Sequence, residues 1–322
     1  MTTVVTGASG HVGANLVRML LERGEHVRAM VLHDTRGIDG VDVELVRGDV
    51  RDSVSLRRAF EGAKSVFHCA AQISIVGDPD GRVHETNVVG AGNVAEAALA
   101  AGVTRLVHFS SVHAFDLTYL DGPIDEHAPR ARPGRSGAYD CSKWAGEQRV
   151  REVVERGLDA VIVNPTGVIG PGDYKVSRMG LVFRQLQRRT LPALVSGGFD
   201  FVDVRDVCQG AIAARERGRT GENYLLAGQW AAVGDLARVA ARVTGAPPPW
   251  LTAPMWLARI GAPAMTGFAK LTKSEPLYTS ESLAALRANR EIRTTKAETE
   301  LGYSKRTLEQ SVRDIYAWIE SH

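Results

Sequence analysis

The chain has 322 residues and a formal net charge of +2, with 44% hydrophobic and 24% charged residues. This composition is typical of a folded globular protein and excludes a disordered one, and the small charge provides no basic surface for nucleic acid. Cys69, Cys141 and Cys208 lack the spacing of a disulfide framework or a metal site, and the histidines form no HExxH motif. We therefore predict a cytoplasmic protein with no metal ion and no nucleic-acid partner.

Hydrophobic patterning in the first two-thirds of the chain alternates between short β-branched runs and longer helical stretches, which predicts parallel βαβ units. The predicted strands span residues 2–6, 26–31, 43–47, 65–69, 105–110 and 160–164. The predicted helices span residues 11–23, 53–60, 81–101 and 138–156. Right-handed crossovers between such strands predict an α/β fold with a doubly wound parallel sheet, the Rossmann arrangement.

The pattern changes at Pro165, where prolines and glycines cluster as far as Gly172. Beyond them we predict a helix over residues 204–216, a strand over 223–226 that returns to the sheet, and a mostly helical remainder. The chain is thus expected to form a dinucleotide-binding domain, residues 1–170 plus about 200–228. A smaller, discontinuous and mostly helical substrate domain would comprise about 171–199 plus 229–322.

Residues 250–269 are apolar apart from Arg259. Pro254 and Pro263 would interrupt a membrane-spanning helix, so we predict no integral membrane contact. We expect this stretch to be buried or to line a pocket, with attachment to a membrane surface as the alternative.

A glycine-rich turn lies between the first strand and the first helix, in the sequence Thr6-Gly7-Ala8-Ser9-Gly10-His11-Val12-Gly13. Gly7 permits a tight turn, Gly10 lets the backbone approach a pyrophosphate, and Gly13 lets helix and strand pack closely. The free N–H groups at the start of the helix favour phosphate binding. Glycines in a turn can also serve sterics alone, but this position between strand and helix favours a dinucleotide site.

The end of the second strand bears on the choice of cofactor. A carboxylate there would bind the ribose hydroxyls of NAD, but the strand ends in Met30-Val31-Leu32-His33. Arg28, His33 and Arg36 are near enough in sequence to meet a 2′-phosphate, or they are solvated surface residues. We predict a slight preference for NADP over NAD.

Tyr139 and Lys143 form a YxxxK pair at the start of the predicted helix 138–156. Their i, i+4 spacing places the phenol and the ammonium on one helical face. A nearby cation would lower the pKa of the tyrosine, which could then exchange a proton with a carbonyl or alcohol oxygen. Ser110 and Ser111 close the fifth strand, where a hydroxyl could hold the same oxygen.

Together these motifs resemble the extended short-chain dehydrogenase/reductases over nearly the whole chain. Gly48-Asp49-Val50-Arg51-Asp52 resembles the family turn that contacts adenine, and Asn87 matches an asparagine that is structural and lies near the active site. The segment from Asn164 to Gly172 resembles the part that cradles the nicotinamide amide. The resemblance implies cofactor binding by Gly7, Gly10, His11, Val12, Gly13, His33, Arg36, Asp49, Val50, Ala70, Tyr139, Lys143, Pro165, Gly167 and Val168.

The resemblance also implies a catalytic trio. Tyr139 would be the general acid/base, Ser111 would polarise the substrate oxygen, and Lys143 would bind the nicotinamide ribose and lower the pKa of the tyrosine. Related folds pair the two helices corresponding to residues 81–101 and 138–156 into a four-helix interface, so a homodimer is expected.

Two departures from the family pattern point to its substrate. Phe199 stands where nucleotide-sugar epimerases carry a diphosphate-binding arginine, and Val112-His113 follows Ser111 where dehydratases carry an acidic pair. The chain therefore most resembles the dihydroflavonol reductase and 3β-hydroxysteroid dehydrogenase branch, which implies a small apolar ketone, aldehyde or alcohol as substrate. The predicted substrate pocket contains His113, Asp116 and Phe199.

Two alternatives remain open at the level of sequence. A nucleotide-sugar epimerase or dehydratase with tightly bound NAD could use Arg178 and Arg184 for the diphosphate. A non-catalytic NAD(P)-sensing regulator would typically have lost the tyrosine or the lysine, and both Tyr139 and Lys143 are present.

Overall fold

The computed structural model describes residues 2–191, 193–260 and 279–322. Seven parallel strands form the central sheet in the order β3-β2-β1-β4-β5-β6-β10. They are β1 (Thr2–Thr6), β2 (His26–Val31), β3 (Glu44–Arg47), β4 (Ala63–His68), β5 (Arg105–Phe109), β6 (Ala160–Pro165) and β10 (Asn223–Leu226). The strand order reverses between β1 and β4, the point at which such sheets bind ligands. The predicted doubly wound Rossmann sheet is confirmed.

Helices cover both faces of this sheet, which is why its strands are apolar on both sides. The helices are α1 (His11–Glu22), α2 (Ser53–Phe60), α3 (Arg82–His84), α4 (Gly90–Ala100), α5 (Ala138–Val154), α6 (Arg178–Arg188), α7 (Val204–Arg217), α8 (Val233–Thr244), α9 (Ser280–Ala285), α10 (Thr295–Leu301) and α11 (Leu308–Ser321). On one face, α1 and α7 pack on Val107 and Val163. On the other, α2, α4 and α5 enclose Val66 and Leu106.

The helix predicted over residues 81–101 is present, but it is not α-helical throughout. A π-helical turn, Glu85–Val89, separates α3 from α4. This turn contains Asn87, whose Oδ1 accepts a hydrogen bond from the backbone N–H of Gln72 at 2.8 Å. The Asn87 Nδ2 donates to the carbonyl of Gln72 and to the Ser142 hydroxyl, each at 2.9 Å. The π turn therefore lets one buried side chain join α5 to the loop after β4, which a regular hydrophobic pattern does not reveal.

A second layer lies beyond the carboxyl edge of the main sheet. It contains a three-stranded sheet of β7 (Gly167–Ile169), β9 (Gly198–Asp203) and β11 (Gln229–Ala232) and a two-stranded sheet of β8 (Leu194–Val195) and β12 (Thr252–Ala253). α6, α8 and α11 share an apolar core that includes Phe183, Leu236 and Ile315. In contrast, α10 lies in the range expected for this layer, yet its Ala297 and Leu301 join the core beside α7.

The prediction that residues 250–269 are buried is wrong for two tryptophans in the described part. Trp250 is 92% exposed and Trp256 64% exposed. Met255 and Ala258 alternate with them and pack against Val195, so only one side of this segment has apolar neighbours. Residues 261–269 lie outside the described residues. Within the described ranges, no helix combines the length and apolar character needed to cross a membrane.

Candidate active site

The glycine turn and the end of β4 form a backbone cradle at the sheet's reversal point. Gly7 has a positive φ of 64°, and a Cβ there would lie 2.7 Å from the Cα of Ala70. α1 begins directly after Gly10, whose position provides no side-chain cap, so its first N–H groups stay available. The predicted neighbours Gly7, Gly10, Gly13 and Ala70 are thus brought together. A Cβ on Gly13 would lie 2.3 Å from the carbonyl oxygen of Gly7, so close backbone packing requires glycine here. A pyrophosphate suits this cradle because the first N–H groups of α1 have no side-chain cap.

The first helix is also tied to the segment predicted to hold the nicotinamide. His11 Nε2 lies 3.0 Å from the carbonyl oxygen of Pro171, and Asn15 Nδ2 donates to the same oxygen at 3.1 Å. Val12 contributes its carbonyl oxygen, which accepts from the Cys208 thiol at 3.6 Å. These contacts join the start of α1 to the segment that follows β7.

One residue predicted to contact adenine, Asp49, belongs to a charged pair. Asp49 accepts hydrogen bonds from the Arg51 guanidinium, which lowers the pKa of its carboxyl group. Val50 is 6% exposed and its side chain faces Gly90, where a Cβ would lie 2.7 Å away. Much of Val50 therefore serves the core, and only its edge remains for an adenine ring.

Two of the three residues predicted to meet a 2′-phosphate, His33 and Arg36, lie on the surface after β2, whereas Arg28 bonds Glu44 and the carbonyl oxygen of Ala59. His33 is exposed, and its carbonyl oxygen accepts a long hydrogen bond from Arg47 at 3.5 Å. Arg36 pairs with Asp34, with its Nη2 2.7 Å from Oδ2, and this contact lowers the pKa of Asp34 to about 2. The sequence reading missed Asp34 as a competitor for the Arg36 guanidinium.

The nicotinamide segment passes from β6 through Pro165 into β7. Gly167 and Val168 pair with Phe201 and Val202 of β9. A Cβ on Gly167 would lie 2.7 Å from Cδ1 of Phe199. Glycine at this position therefore lets the Phe199 ring extend across the strand toward the catalytic residues.

The catalytic trio meets where β5 ends and α5 begins. The Ser111 hydroxyl accepts a hydrogen bond from the backbone N–H of His113 at 3.2 Å, which leaves its proton free to be donated. The Ser111 hydroxyl also lies close enough to the Tyr139 phenol to lower its pKa. Lys143 lies one turn along α5, is 4% exposed, and donates from Nζ to the carbonyl oxygen of Phe109 at 2.8 Å. The structure thus places all three predicted residues together.

The pKa of Tyr139 differs from the sequence expectation. Burial raises it to about 12, partly opposed by the Ser111 hydroxyl, and the Asp140 charge raises it further. Lys143 does not act as the expected cation, because its ammonium is directed at the carbonyl of Phe109. Near neutral pH Tyr139 therefore holds its proton and can act as a proton donor.

Lys143 lies near two buried histidines, His68 and His108. The rings of His68 and His108 are 5.2 Å apart, and burial lowers the pKa of both. His68 Nδ1 lies 2.8 Å from the Thr6 hydroxyl, whereas neither ring nitrogen of His108 has a hydrogen-bond partner among the described residues. Burial likewise lowers the pKa of Lys143 to about 8, opposed by the charge of Glu147. The neutral histidines let an ammonium remain in this apolar site.

We expect this buried lysine to make stability depend on pH. Its folded pKa of about 8 lies below its ordinary value of 10.5, so between these values the unfolded chain binds a proton that the folded protein has released. The free energy of unfolding then rises with pH. Relative to Lys143→Met, the wild type should gain about 3 kcal/mol between about pH 7 and pH 11 in urea denaturation.

The exposed Lys305 provides the matched control, since Lys305→Met should follow the wild-type curve at every pH. If the free energy of unfolding of the wild type and of Lys143→Met changed in parallel across this pH range, the assignment of a buried lysine with a lowered pKa would be wrong.

Glu147 is the centre of a network of charged and polar side chains that reaches the backbone of Ser111. Glu147 is 0% exposed, and its Oε2 lies 3.1 Å from Nη1 of Arg151 and 3.6 Å from Nη1 of Arg130. Asn223 donates to the same oxygen at 3.1 Å. Asn164 donates to Glu147 Oε1 at 2.7 Å and to the carbonyl oxygen of Ser111 at 2.9 Å. One amide thus joins the carboxylate to the catalytic serine.

The sequence reading missed Glu147, although a signal existed. Tyr139, Lys143 and Glu147 recur at intervals of four residues, which places them on one face of α5. A charged residue on the face that packs against a parallel sheet requires buried partners. Arg151 lies on the same helix, but Asn164 and Asn223 come from β6 and β10, and their distance in sequence hides them.

The predicted substrate pocket is assembled in part. The imidazole of His113 stacks on Phe199 with ring centres 5.8 Å apart, and it meets the edge of Tyr139 at 5.6 Å. Asp116 is buried instead in its own turn, where Oδ1 accepts from the backbone and hydroxyl of Thr118. His113 and Phe199 therefore form an aromatic wall beside the phenol. No cluster of metal-ligating side chains occurs among the residues the structure describes.

Comparisons with known proteins show which family the chain belongs to. Residues 3–227 match the model of the NAD dependent epimerase/dehydratase family. Sterol demethylase protein B of Methylococcus capsulatus is 35% identical over 326 residues, spanning 99% of this chain and 98% of its own length. A putative dihydroflavonol 4-reductase of Synechocystis sp. is 32% identical over 329 residues, spanning 99% and 94%.

A solved structure is similar over the same length. The crystal structure of gox2253 is 36% identical, with a TM-score of 0.86, and the alignment covers 100% of this chain and 98% of that one. The family match and the full-length similarity to these relatives show that the chain belongs to the NAD-dependent epimerase/dehydratase family and is an enzyme of the extended short-chain dehydrogenase/reductase type.

Proposed function

We propose that this enzyme reduces an apolar ketone or aldehyde, or oxidises the matching alcohol, with Tyr139 as general acid/base. The observation that carries the proposal is the aromatic wall beside the phenol, where His113 and Phe199 stack with ring centres 5.8 Å apart. Flat apolar molecules bind such a wall without leaving a charge unpaired. Relatives named a putative dihydroflavonol 4-reductase and a sterol demethylase protein support the same substrate class.

Each part of the cofactor has residues suited to hold it. The backbone cradle at Gly7, Gly10 and Gly13 suits the pyrophosphate, and the ammonium of Lys143 suits the nicotinamide ribose. The β6–β7 segment suits the nicotinamide amide. The nicotinamide, when bound, supplies or accepts the hydride.

The side chains around the substrate oxygen favour reduction at neutral pH. Tyr139 retains its proton because its pKa is raised to about 12. It can therefore donate that proton to a carbonyl oxygen while the Ser111 hydroxyl donates a second hydrogen bond. Oxidation of an alcohol requires the phenol to lose its proton first, so we expect that direction to gain from higher pH.

The proposal includes a modest preference for NADPH, which the Asp34–Arg36 pair makes testable. Arg36 attracts a 2′-phosphate and Asp34 repels it. Arg36→Ala should therefore lower the ratio of kcat/KM for NADPH to that for NADH by about tenfold, and Asp34→Asn should raise it. The exposed Arg58→Ala serves as control. A higher kcat/KM with NADH in the wild type would overturn the NADPH preference.

A nucleotide-sugar epimerase is the competing function within this family. Its substrate carries a diphosphate, which needs cationic or N–H partners when water is excluded. Phe199 offers neither, so calorimetry on the cofactor-loaded enzyme should detect no micromolar binding of UDP or UDP-glucose. Micromolar binding of either would favour the epimerase reading.

We further propose a homodimer through α4 and α5, supported by the direct packing of these two helices on one face of the sheet. Light scattering at micromolar concentration should then give twice the chain mass, and a monomer would refute the dimer.

A reducing compartment such as the cytoplasm suits Cys69, Cys141 and Cys208, which form no disulfide in the structure.

A further inference from the structure

Beside the phenol lies a second group able to transfer protons. His113 Nδ1 lies 2.8 Å from Oδ1 of Asp140. Because a carboxylate accepts a hydrogen bond, Nδ1 carries the proton and the lone pair resides on Nε2. No residue within 2–191, 193–260 and 279–322 hydrogen-bonds that nitrogen. The carboxylate thus fixes the tautomer that makes Nε2 a base.

The Asp140 carboxylate is itself held in place. Its Oδ2 accepts from the backbone N–H of Gly137 at 3.2 Å, at the start of α5. The imidazole is fixed in turn by its stack on Phe199 and by its edge contact with Tyr139. About a quarter of the His113 side chain is exposed, at 24%, so a proton on Nε2 can exchange with water.

We propose that His113 is a second acid–base group of this enzyme, whose Nε2 removes and returns a proton on the carbon next to the substrate carbonyl. The enzyme then exchanges the proton on that carbon with solvent, or inverts the configuration of that carbon, in addition to transferring hydride at the carbonyl carbon. This activity rests on the proposed function only in that a ketone occupies the site.

The step is balanced without an oxidant or a reductant. The α-carbon–hydrogen bond breaks, its proton passes to Nε2, and its electron pair forms the carbon–carbon double bond of an enolate. The carbonyl π electrons move onto oxygen, which hydrogen bonds from Tyr139 and Ser111 stabilise. Tyr139 suits this role because it keeps its proton near neutral pH. Return of a solvent-exchanged proton from Nε2 regenerates the ketone.

Deuterium incorporation tests the proposal. The enzyme and NADP⁺ are incubated in D₂O with each of four ketones: cyclohexanone, 1-indanone, 1-tetralone and 5α-androstan-3-one. The deuterium content of the recovered ketone is then measured by mass spectrometry. Oxidised cofactor completes the site but prevents reduction. At least one ketone should gain deuterium faster than in a protein-free control, and His113→Asn should slow this gain by about 10²–10⁴-fold.

His113→Asn is the informative variant because the asparagine amide can still donate to Asp140, while Nε2 is lost. The exposed His127→Asn is the matched control and should leave exchange unchanged. Thermal unfolding of each variant confirms folding. The ratio of exchange to reduction on one ketone distinguishes a base from a binding residue, since His113→Asn should lower the ratio and Tyr139→Phe should lower both rates.

The outcomes separate this inference from the proposed function. A ketone that is reduced without α-exchange overturns the inference and leaves the function intact. Exchange without reduction of any ketone supports the inference and counts against the function. Equal losses of exchange and reduction in His113→Asn, or no loss of exchange, would assign His113 to binding or structure alone.

Discussion

Replacing Tyr139 by phenylalanine is expected to lower turnover by about 10²–10⁴-fold, because it removes the proton donor. The substitution keeps the ring, whose edge meets His113 at 5.6 Å, so the wall of the pocket should remain. Cofactor affinity should be nearly unchanged, since the ammonium of Lys143 and the glycine cradle are untouched. Steady-state kinetics and fluorescence titration with NADPH measure the two effects.

Tyr119→Phe provides the matched control. Tyr119 lies in the turn beside Gly122 and is not part of the trio, so loss of its hydroxyl should not change turnover. If Tyr139→Phe kept half of the wild-type activity, the assignment of the general acid/base would be wrong.

Truncating Glu147 to alanine should have the largest effect on stability. It would leave the partly exposed guanidinium groups of Arg130 and Arg151 without their buried carboxylate, and it would remove the acceptor that orients Asn164. The loss of one partner from a buried ion pair typically costs about 3–5 kcal/mol. Urea denaturation of Glu147→Ala should show a fall of this size in the free energy of unfolding.

Glu152, one turn further along α5, is the control. It pairs with Arg149 on the surface, and Glu152→Ala should cost less than about 1 kcal/mol. Because Asn164 holds the carbonyl of Ser111 at 2.9 Å, any folded Glu147→Ala protein should also turn over more slowly. A Glu147→Ala protein as stable as Glu152→Ala would show that the network contributes little.

The fold could be predicted from sequence because its signals are local. β2 begins at His26 and ends at Val31 as expected, and α2 spans Ser53 to Phe60 as expected, since period and end signals lie within each segment. The turn at Gly7 and the spacing of Tyr139 and Lys143 are equally local. These motifs sufficed to predict which residues meet at the carboxyl edge of the sheet.

What could not be predicted depends on partners distant in sequence. The carboxylate of Glu147 is bound by residues of β6 and β10, and the direction of the Lys143 ammonium depends on the end of β5. The pKa of Tyr139 was expected to fall and instead rises, because burial outweighs a cation that faces elsewhere. The exposure of Trp250 and Trp256 could not be predicted either, because an apolar stretch of sequence does not specify which of its side chains pack against other residues.

The most direct test of the proposed function follows deuterium from the cofactor to the product. NADPH deuterated at the nicotinamide C4 is supplied with apolar ketones and aldehydes and, separately, with UDP-glucose, and the products are analysed by mass spectrometry and NMR. We expect one deuterium on the carbinol carbon of an apolar alcohol, in wild type and not in Tyr139→Phe. Conversion of UDP-glucose to another sugar nucleotide without net use of cofactor, and no deuterium in any apolar alcohol, would contradict the account.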